Sequence, residues 1–167
     1  MKIGLISDTH GFLDPKVGEY LGCSDEIWHA GDIGNLMVAE ELNQLKPIQA
    51  VYGNIDGPDI RGQFGEYLIL EREGFKILLT HIAGTPSRYN SRARELIALH
   101  KPEILVCGHS HILKIMADPK ADILYINPGS AGRQGFHRVR TLVRFDLADH
   151  KISQMQVIEL GKRSGLA

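Results

Sequence analysis

Lys2-Ile3-Gly4-Leu5-Ile6-Ser7-Asp8-Thr9-His10 is a short apolar run that stops on an acid and, two residues later, reaches a histidine. An uninterrupted apolar run of this length fits a strand buried on both faces, in a sheet covered by helices. The same pattern recurs along the chain. Residues 26–30 end at Gly31-Asp32, 48–52 at Gly53-Asn54, 75–80 at His81, and 104–107 at Gly108-His109. Five apolar strands therefore each run into a loop that opens on Asp, Asn or His: Asp8, Asp32, Asn54, His81 and His109. In helix-flanked sheets, ligands gather in the crevice beyond the carboxyl ends of the strands. The pattern predicts that these loops meet.

The segments between follow the period of helices or of further strands. A Gly/Pro loop at 11–15 leads to a short helix over 16–21, and Leu36, Met37, Ala39, Leu42 and Leu45 mark an amphipathic helix over 35–46, stopped by Pro47. After this β-α-β-α-β opening, 64–71 and 75–80 read as an antiparallel hairpin turning at Gly74. Asn90 or Ser91 caps a helix that runs to His100 ahead of Pro102. Strands near 113–116, 122–127, 142–147 and 151–159 complete one domain over 1–160, with a frayed tail at 161–167.

Composition narrows the function. With 167 residues, 43% hydrophobic and 23% charged, the chain has enough apolar material for one ordinary core. A formal net charge of -1 gives no global field for nucleic-acid polymers or anionic membranes. A small phosphorylated substrate stays open, because bound cations supply local positive charge. Cys23 and Cys107 lack CxxC spacing and read as buried free thiols. The N-terminus does not have the form of a signal peptide, and no segment reaches the roughly 20 apolar residues of a membrane span. A reducing, cytoplasmic setting is expected.

The chemistry lies in seven side chains: Asp8, His10, Asp32, Asn54, His81, His109 and His111. In Gly108-His109-Ser110-His111, alternation puts both imidazoles on one side of an extended segment, and the glycine allows close backbone approach. Taken singly, Asp8 and Asp32 also fit as turn or helix caps; together with four histidines and Asn54 they fit a metal centre better. Oxygen and imidazole donors without thiolate suit Mn²⁺, Fe²⁺, Ni²⁺, Co²⁺ or Zn²⁺. Seven donors exceed what one tetrahedral ion takes, whereas two ions sharing a carboxylate need about that number. Such a pair, roughly 3.5–4 Å apart, polarises a phosphoryl group and lowers the pKa of a bridging water from 15.7 to about 7.

The order Asp8-x-His10, Gly31-Asp32, Gly53-Asn54, His81 and Gly108-His109-x-His111 resembles the calcineurin-like metallophosphoesterase superfamily, over Met1 to about Leu160. The short length, Gly53-Asn54-Ile55-Asp56 and Asn127-Pro128-Gly129-Ser130 are similar to its small YfcE-type phosphodiesterase branch, whose fold the retromer subunit Vps29 shares. The resemblance implies a four-layer α/β/β/α sandwich of two mixed sheets. It implies one ion on Asp8, His10, Asp32 and His111, and another on Asp32, Asn54, His81 and His109, with Asp32 bridging. Mn²⁺ is the first expectation. A metal-bridging hydroxide would attack phosphorus in line, with Asp32, Asn54 and His81 closest to the chemistry, on a small, nucleotide-like ester.

One position departs from the family. Many members carry a histidine after Gly-Asn that protonates the leaving group; here it is Ile55. The alternative function is a non-catalytic, Vps29-like scaffold with a vestigial site, against which all seven positions keep a metal-competent side chain. The remaining candidates take ordinary readings. His29, His100, His137 and His150 are surface or satisfied core residues, Asp56 is an acidic turn residue, and Trp28 is core. The 127–130 run is either a plain turn or, as the resemblance implies, a loop that packs near the site. Arg88, Tyr89 and Arg133 are solvated surface, and the 64–80 hairpin offers an edge for self-association.

Overall fold

The computed structural model describes residues 1–163. The apolar opening run forms β1 (Lys2–Ile6), followed by α1 (Val17–Leu21), β2 (Glu26–His29), α2 (Leu36–Leu45), β3 (Ile48–Ala50) and α3 (Pro58–Gln63). The antiparallel hairpin is β4 (Tyr67–Arg72) and β5 (Phe75–Thr80), then a two-stranded ribbon of β6 (Gly84–Thr85) and β7 (Arg88–Tyr89) leads to α4 (Ser91–His100). The chain ends with β8 (Ile104–Val106), β9 (Leu113–Asp118), β10 (Ile123–Pro128), β11 (Val139–Ala148) and β12 (Lys151–Lys162).

Two mixed five-stranded sheets form, in the orders β12-β11-β1-β2-β3 and β4-β5-β8-β10-β9. Strands β1, β2 and β3 are parallel, as are β5, β8 and β10; antiparallel pairing lies on the β11–β12 side of the first sheet and at both edges, β4 and β9, of the second. Period-two alternation divides each strand between two cores. Ile3, Leu5, Trp28, Val143 and Phe145 of the first sheet pack against Ile77, Leu79, Ile104, Val106 and Ile126 of the second. Ile6, Ile27 and Leu142 point the other way, onto Val17, Leu21, Val38 and Leu42 of α1 and α2. Leu78, Leu105 and Tyr125 take Ala93 and Leu96 of α4. The layers are α/β/β/α. The two parallel triplets aim their carboxyl ends at one end of the sandwich, where the ligand-bearing loops lie.

The helix starts follow their caps. Asn35 and Asn90 accept hydrogen bonds from Val38 N at 3.1 Å and Ala93 N at 2.7 Å, satisfying donors a helix leaves free. Helix α3 begins at Pro58, which stands in the first turn, where its fixed φ suits the helix, and Ile60 anchors it in the core. Cys107 is buried as expected, but Cys23 is exposed, because it sits in the turn leaving α1 rather than on its apolar face. Gly161 and Lys162, placed in the tail, belong to β12, where they pair with Arg140 and Val139; 164–167 lie outside the described residues. No helix among the described residues is long and apolar enough to cross a membrane.

Trp28 joins the layers. Its side chain is 0% exposed, its ring meets Phe145 edge-on at 5.8 Å, and its indole N–H donates to Glu26 at 3.0 Å. Trp28→Ala is expected to cost roughly 3–5 kcal/mol in urea unfolding, as for a buried aromatic truncated in a packed core. A cost below about 1 kcal/mol would place that ring outside the core.

Candidate metal centre

The fold brings the seven candidates into two adjoining groups. In the first, one ligand atom each from Asp8, His10 and His111 lie within 4.8 Å of one another; in the second, so do those of Asp32, His81 and His109. Asn54 joins the second group, its Oδ1 3.0 Å from His81 Nε2. Asp32 links the two. Its Oδ1 is 3.2 Å from His81 Nε2 on one side, and its Oδ2 is 3.8 Å from His10 Nε2 on the other. Within the first group, His111 Nε2 lies 3.2 Å from Asp8 Oδ1 and 3.2 Å from His10 Nε2.

These contacts need a proton or a cation between the rings. Two imidazole nitrogens 3.2 Å apart repel as bare lone pairs, so a proton or a metal must lie between them. The donors are carboxylate, amide and imidazole, a set suited to first-row divalent ions. The nearby thiol takes no part: burial pushes Cys107 up to about 12, and its Sγ donates to the Tyr125 hydroxyl at 3.0 Å. The residues present could hold divalent ions: Asp8, His10 and His111 form one set of donors, and Asp32, Asn54, His81 and His109 the other, with Asp32 reaching toward both.

Local sequence explains the crowding. Three of the ligand-bearing loops have a glycine where another loop's ligand must pass. A Cβ at Gly31 would stand 2.6 Å from His81 Nδ1, one at Gly53 would strike the Asp32 carboxylate, and one at Gly108 would strike Ser7 Oγ and crowd Asp8 Oδ2. The ligands themselves are bent sharply. Asp8, His10, Asp32, His109 and His111 have φ of 54°, 49°, 54°, 67° and 57°. Each such L-residue costs on the order of 1 kcal/mol, and a cluster of them is typical of sites where side-chain aim outweighs backbone comfort.

A layer of hydrogen bonds holds these loops in place. The Asp8 carboxylate accepts from Ser7 Oγ at 2.6 Å and from the backbone N–H of His109 at 3.1 and 3.2 Å. Ser130 Oγ donates to Asp8 O at 3.0 Å, and Asn127 Nδ2 donates to Gly108 O at 2.7 Å, so the 127–130 loop braces two ligand loops. Buried Asp56 accepts from the N–H groups of Ile33, Gly34 and Gly53 at 3.1, 2.7 and 2.7 Å. It ties the Asp32 loop to the Asn54 loop, as a turn residue rather than a ligand. His29 is a satisfied core residue: its Nδ1 accepts from Gly31 N at 3.2 Å and its Nε2 bonds Thr9 Oγ1 at 2.9 Å. Burial lowers it to about 4, so it stays neutral.

Other expectations fare variously. His150 bonds Glu103 at 2.7 Å and stacks on Phe75 at 4.4 Å, away from the site. His137, expected as surface or core, instead stands with Nδ1 3.3 Å from His111 Nδ1; no spacing pattern tied it to the strand ends, because it comes from the loop before β11. Arg88 is exposed, Arg133 stacks over Phe12 at 3.9 Å, and Tyr89, expected at the surface, is half-buried beside Tyr125. A cleft of about 310 Å³ opens beside the second group, walled by Tyr52, Asn54, Arg61, His81, Ile82 and Arg92.

The charges are mutually biased. Burial alone would raise Asp32, but hydrogen bonding and charge from His81, with the Ile55 N–H at 3.0 Å, bring it below the usual carboxylate range. Burial alone would lower His81, but its bond to Asp32 and the charges of Asp8 and Asp32 bring it above the ordinary imidazole value. His10 is lowered, chiefly by burial.

The sequence pattern of the calcineurin-like phosphoesterase superfamily domain matches residues 1–150. A protein named as a phosphodiesterase in Methanocaldococcus jannaschii is 30% identical over 146 residues, covering 77% of this chain and 83% of that one. A probable metallophosphoesterase of the same organism is 33% identical over 136 residues, covering 78% of this chain and 68% of that one. Among solved structures, an archaeal phosphodiesterase superposes with a TM-score of 0.75 at 26% identity, covering 96% of this chain and 100% of that one. Vps29 of Entamoeba histolytica gives 0.74 at 18% identity, covering 96% and 100%, a likeness of fold. Sequence, sandwich and the placement of donors at the strand ends agree: the chain belongs to the calcineurin-like phosphoesterase superfamily.

Proposed function

We propose that the protein is a divalent-metal-dependent phosphodiesterase acting on a small, nucleotide-like ester, with Mn²⁺ first among the ions its donors suit. The observation that carries this reading is the Asp32 carboxylate, whose two oxygens face the two ligand groups separately. When bound, a pair of ions supplies an acidified water and draws charge from the phosphoryl oxygens. The protein supplies the rest. Asp32 fixes the spacing of the two groups. Asn54, exposed at the mouth, offers its amide to the second group and to a phosphoryl oxygen. His81 is held by the bond between its Nδ1 and Ala30 O at 2.8 Å, and the adjoining cleft receives an organic arm of the ester.

The partner is a small phosphorylated molecule rather than a nucleic-acid polymer, in keeping with a net charge of -1. The two free thiols suit a reducing, cytoplasmic setting. A Vps29-like scaffold would need no convergent donors, and their retention favours hydrolysis. Ile55 shapes the substrate preference. Its N–H holds Asp32, but its half-exposed side chain has no proton to give a leaving group. A missing positioned acid costs about 10²–10⁴-fold in rate, most for alkoxide leaving groups.

Three outcomes follow. Hydrolysis of a bis-aryl phosphodiester should depend on added Mn²⁺ and fall about 10³-fold or more with chelator or in Asp32→Ala, since a metal contributes several kcal/mol to the transition state. Undiminished turnover in both cases, in a folded protein, would falsify the metal mechanism; tight Mn²⁺ binding without turnover on any ester would favour the scaffold. The bis-aryl diester should also be cleaved faster than an alkyl phosphomonoester, and the reverse order would show that an acid replaces the missing histidine. Finally, the bond to Asp32 and the charges of Asp8 and Asp32 raise His81 in the metal-free protein, so below that raised value a cation there must displace a proton. Mn²⁺ affinity should therefore weaken as the pH falls through the His81 titration, with proton release measurable by calorimetry in two buffers. An affinity independent of pH would mean that His81 is not a ligand.

A further inference from the structure

We propose that His137 is a positioning residue that fixes which ring nitrogen of His111 faces the first metal; this rests on the two-metal reading above. A metal-binding imidazole presents a lone pair on one nitrogen and donates the N–H of the other, usually to a carbonyl or carboxylate. His81 follows that rule, with Nδ1 2.8 Å from Ala30 O and Nε2 turned to Asp32 and Asn54. His111 turns its Nε2 to Asp8 and His10, but its Nδ1 meets another ring, His137 Nδ1, at 3.3 Å.

The proton positions then follow from the far end. His137 Nε2 lies 3.0 Å from Gly132 O, which only accepts, so that nitrogen carries the hydrogen. In a neutral ring, His137 Nδ1 is then the lone pair and accepts. His111 Nδ1 must be its donor, leaving His111 Nε2 bare toward the metal. The relay also reaches the first metal's carboxylate loop, because Gly132 N–H donates to Asp8 O at 3.0 Å. Gly135 permits the arrangement: with φ of 113°, it lies where a Cβ would collide with His111 Nδ1, so the loop closes over the ring only without a side chain there. A single segment, 132–137, thus sets both the place of Asp8 and the tautomer of His111.

Two measurements test this. In metal-free wild-type protein, long-range ¹H–¹⁵N spectra should show His111 protonated at Nδ1, whether or not its Nε2 also carries a proton toward Asp8, and His137 as the Nε2–H tautomer; a His111 ring with a bare Nδ1 would overturn the proposal. Calorimetric Mn²⁺ titration should then show two binding events in wild type. His137→Ala should weaken by about 10–100-fold the event that survives in His81→Ala, and spare the other. His137→Gln, whose amide oxygen can accept from His111, should recover part of the loss. Two unchanged events in His137→Ala would overturn the proposal. If wild type binds no Mn²⁺, the two-metal reading fails, while the tautomer of His111 still decides the role of His137.

Discussion

The structure depends on one buried carboxylate shared by two clusters of imidazoles. Asp32 is 2% exposed and faces His81 on one side and His10 on the other. A charged group so placed is costly unless each of its oxygens is compensated. In the metal-free protein the compensation comes from the Ile55 N–H and the raised imidazole of His81. A cation between the clusters would supply it more fully, and would also relieve the close approach of His10 and His111. The site is built at a cost in backbone strain and desolvation. The three-part core of the sandwich provides the stability against which that cost is set.

The sandwich makes such convergence possible. Parallel strands from both sheets end at the same edge, so residues far apart in sequence reach one spot without long loops. Small residues then control how near they come. The glycines at 31, 53 and 108 sit where ligands from other loops pass, and so each precedes a ligand in sequence while making room for a different one in space. Asp56 and the Thr9–His29 pair lock the loops of the first sheet together, Asn127 holds the Gly108 loop of the second sheet, and Ser130 ties the second sheet to the first.

Much of this was legible in the residues. Apolar runs ending at Asp8, Asp32, Asn54, His81 and His109 marked strands whose ends meet, because burial on both faces leaves only the termini for polar side chains. The helix cap at Asn90, one of the two candidates there, read directly from short-range chemistry. The four-layer arrangement came from family resemblance, since strand periodicity alone does not say whether helices or a second sheet cover a face. What stayed hidden was set by tertiary contact. His137 looked like any lone histidine until the loop before β11 folded over His111. The α3 helix is too short for a periodic signal, and Cys23 lost its cover because the chain turns away after Leu21.

The central claim is that Asp32 stands between two cation sites rather than beside one. Anomalous diffraction from crystals grown with Mn²⁺ tests it most directly. Two peaks roughly 3.5–4 Å apart, one against each ligand group and both within bonding reach of Asp32, are the predicted result. A single peak, or none with the seven side chains unmoved, would contradict it.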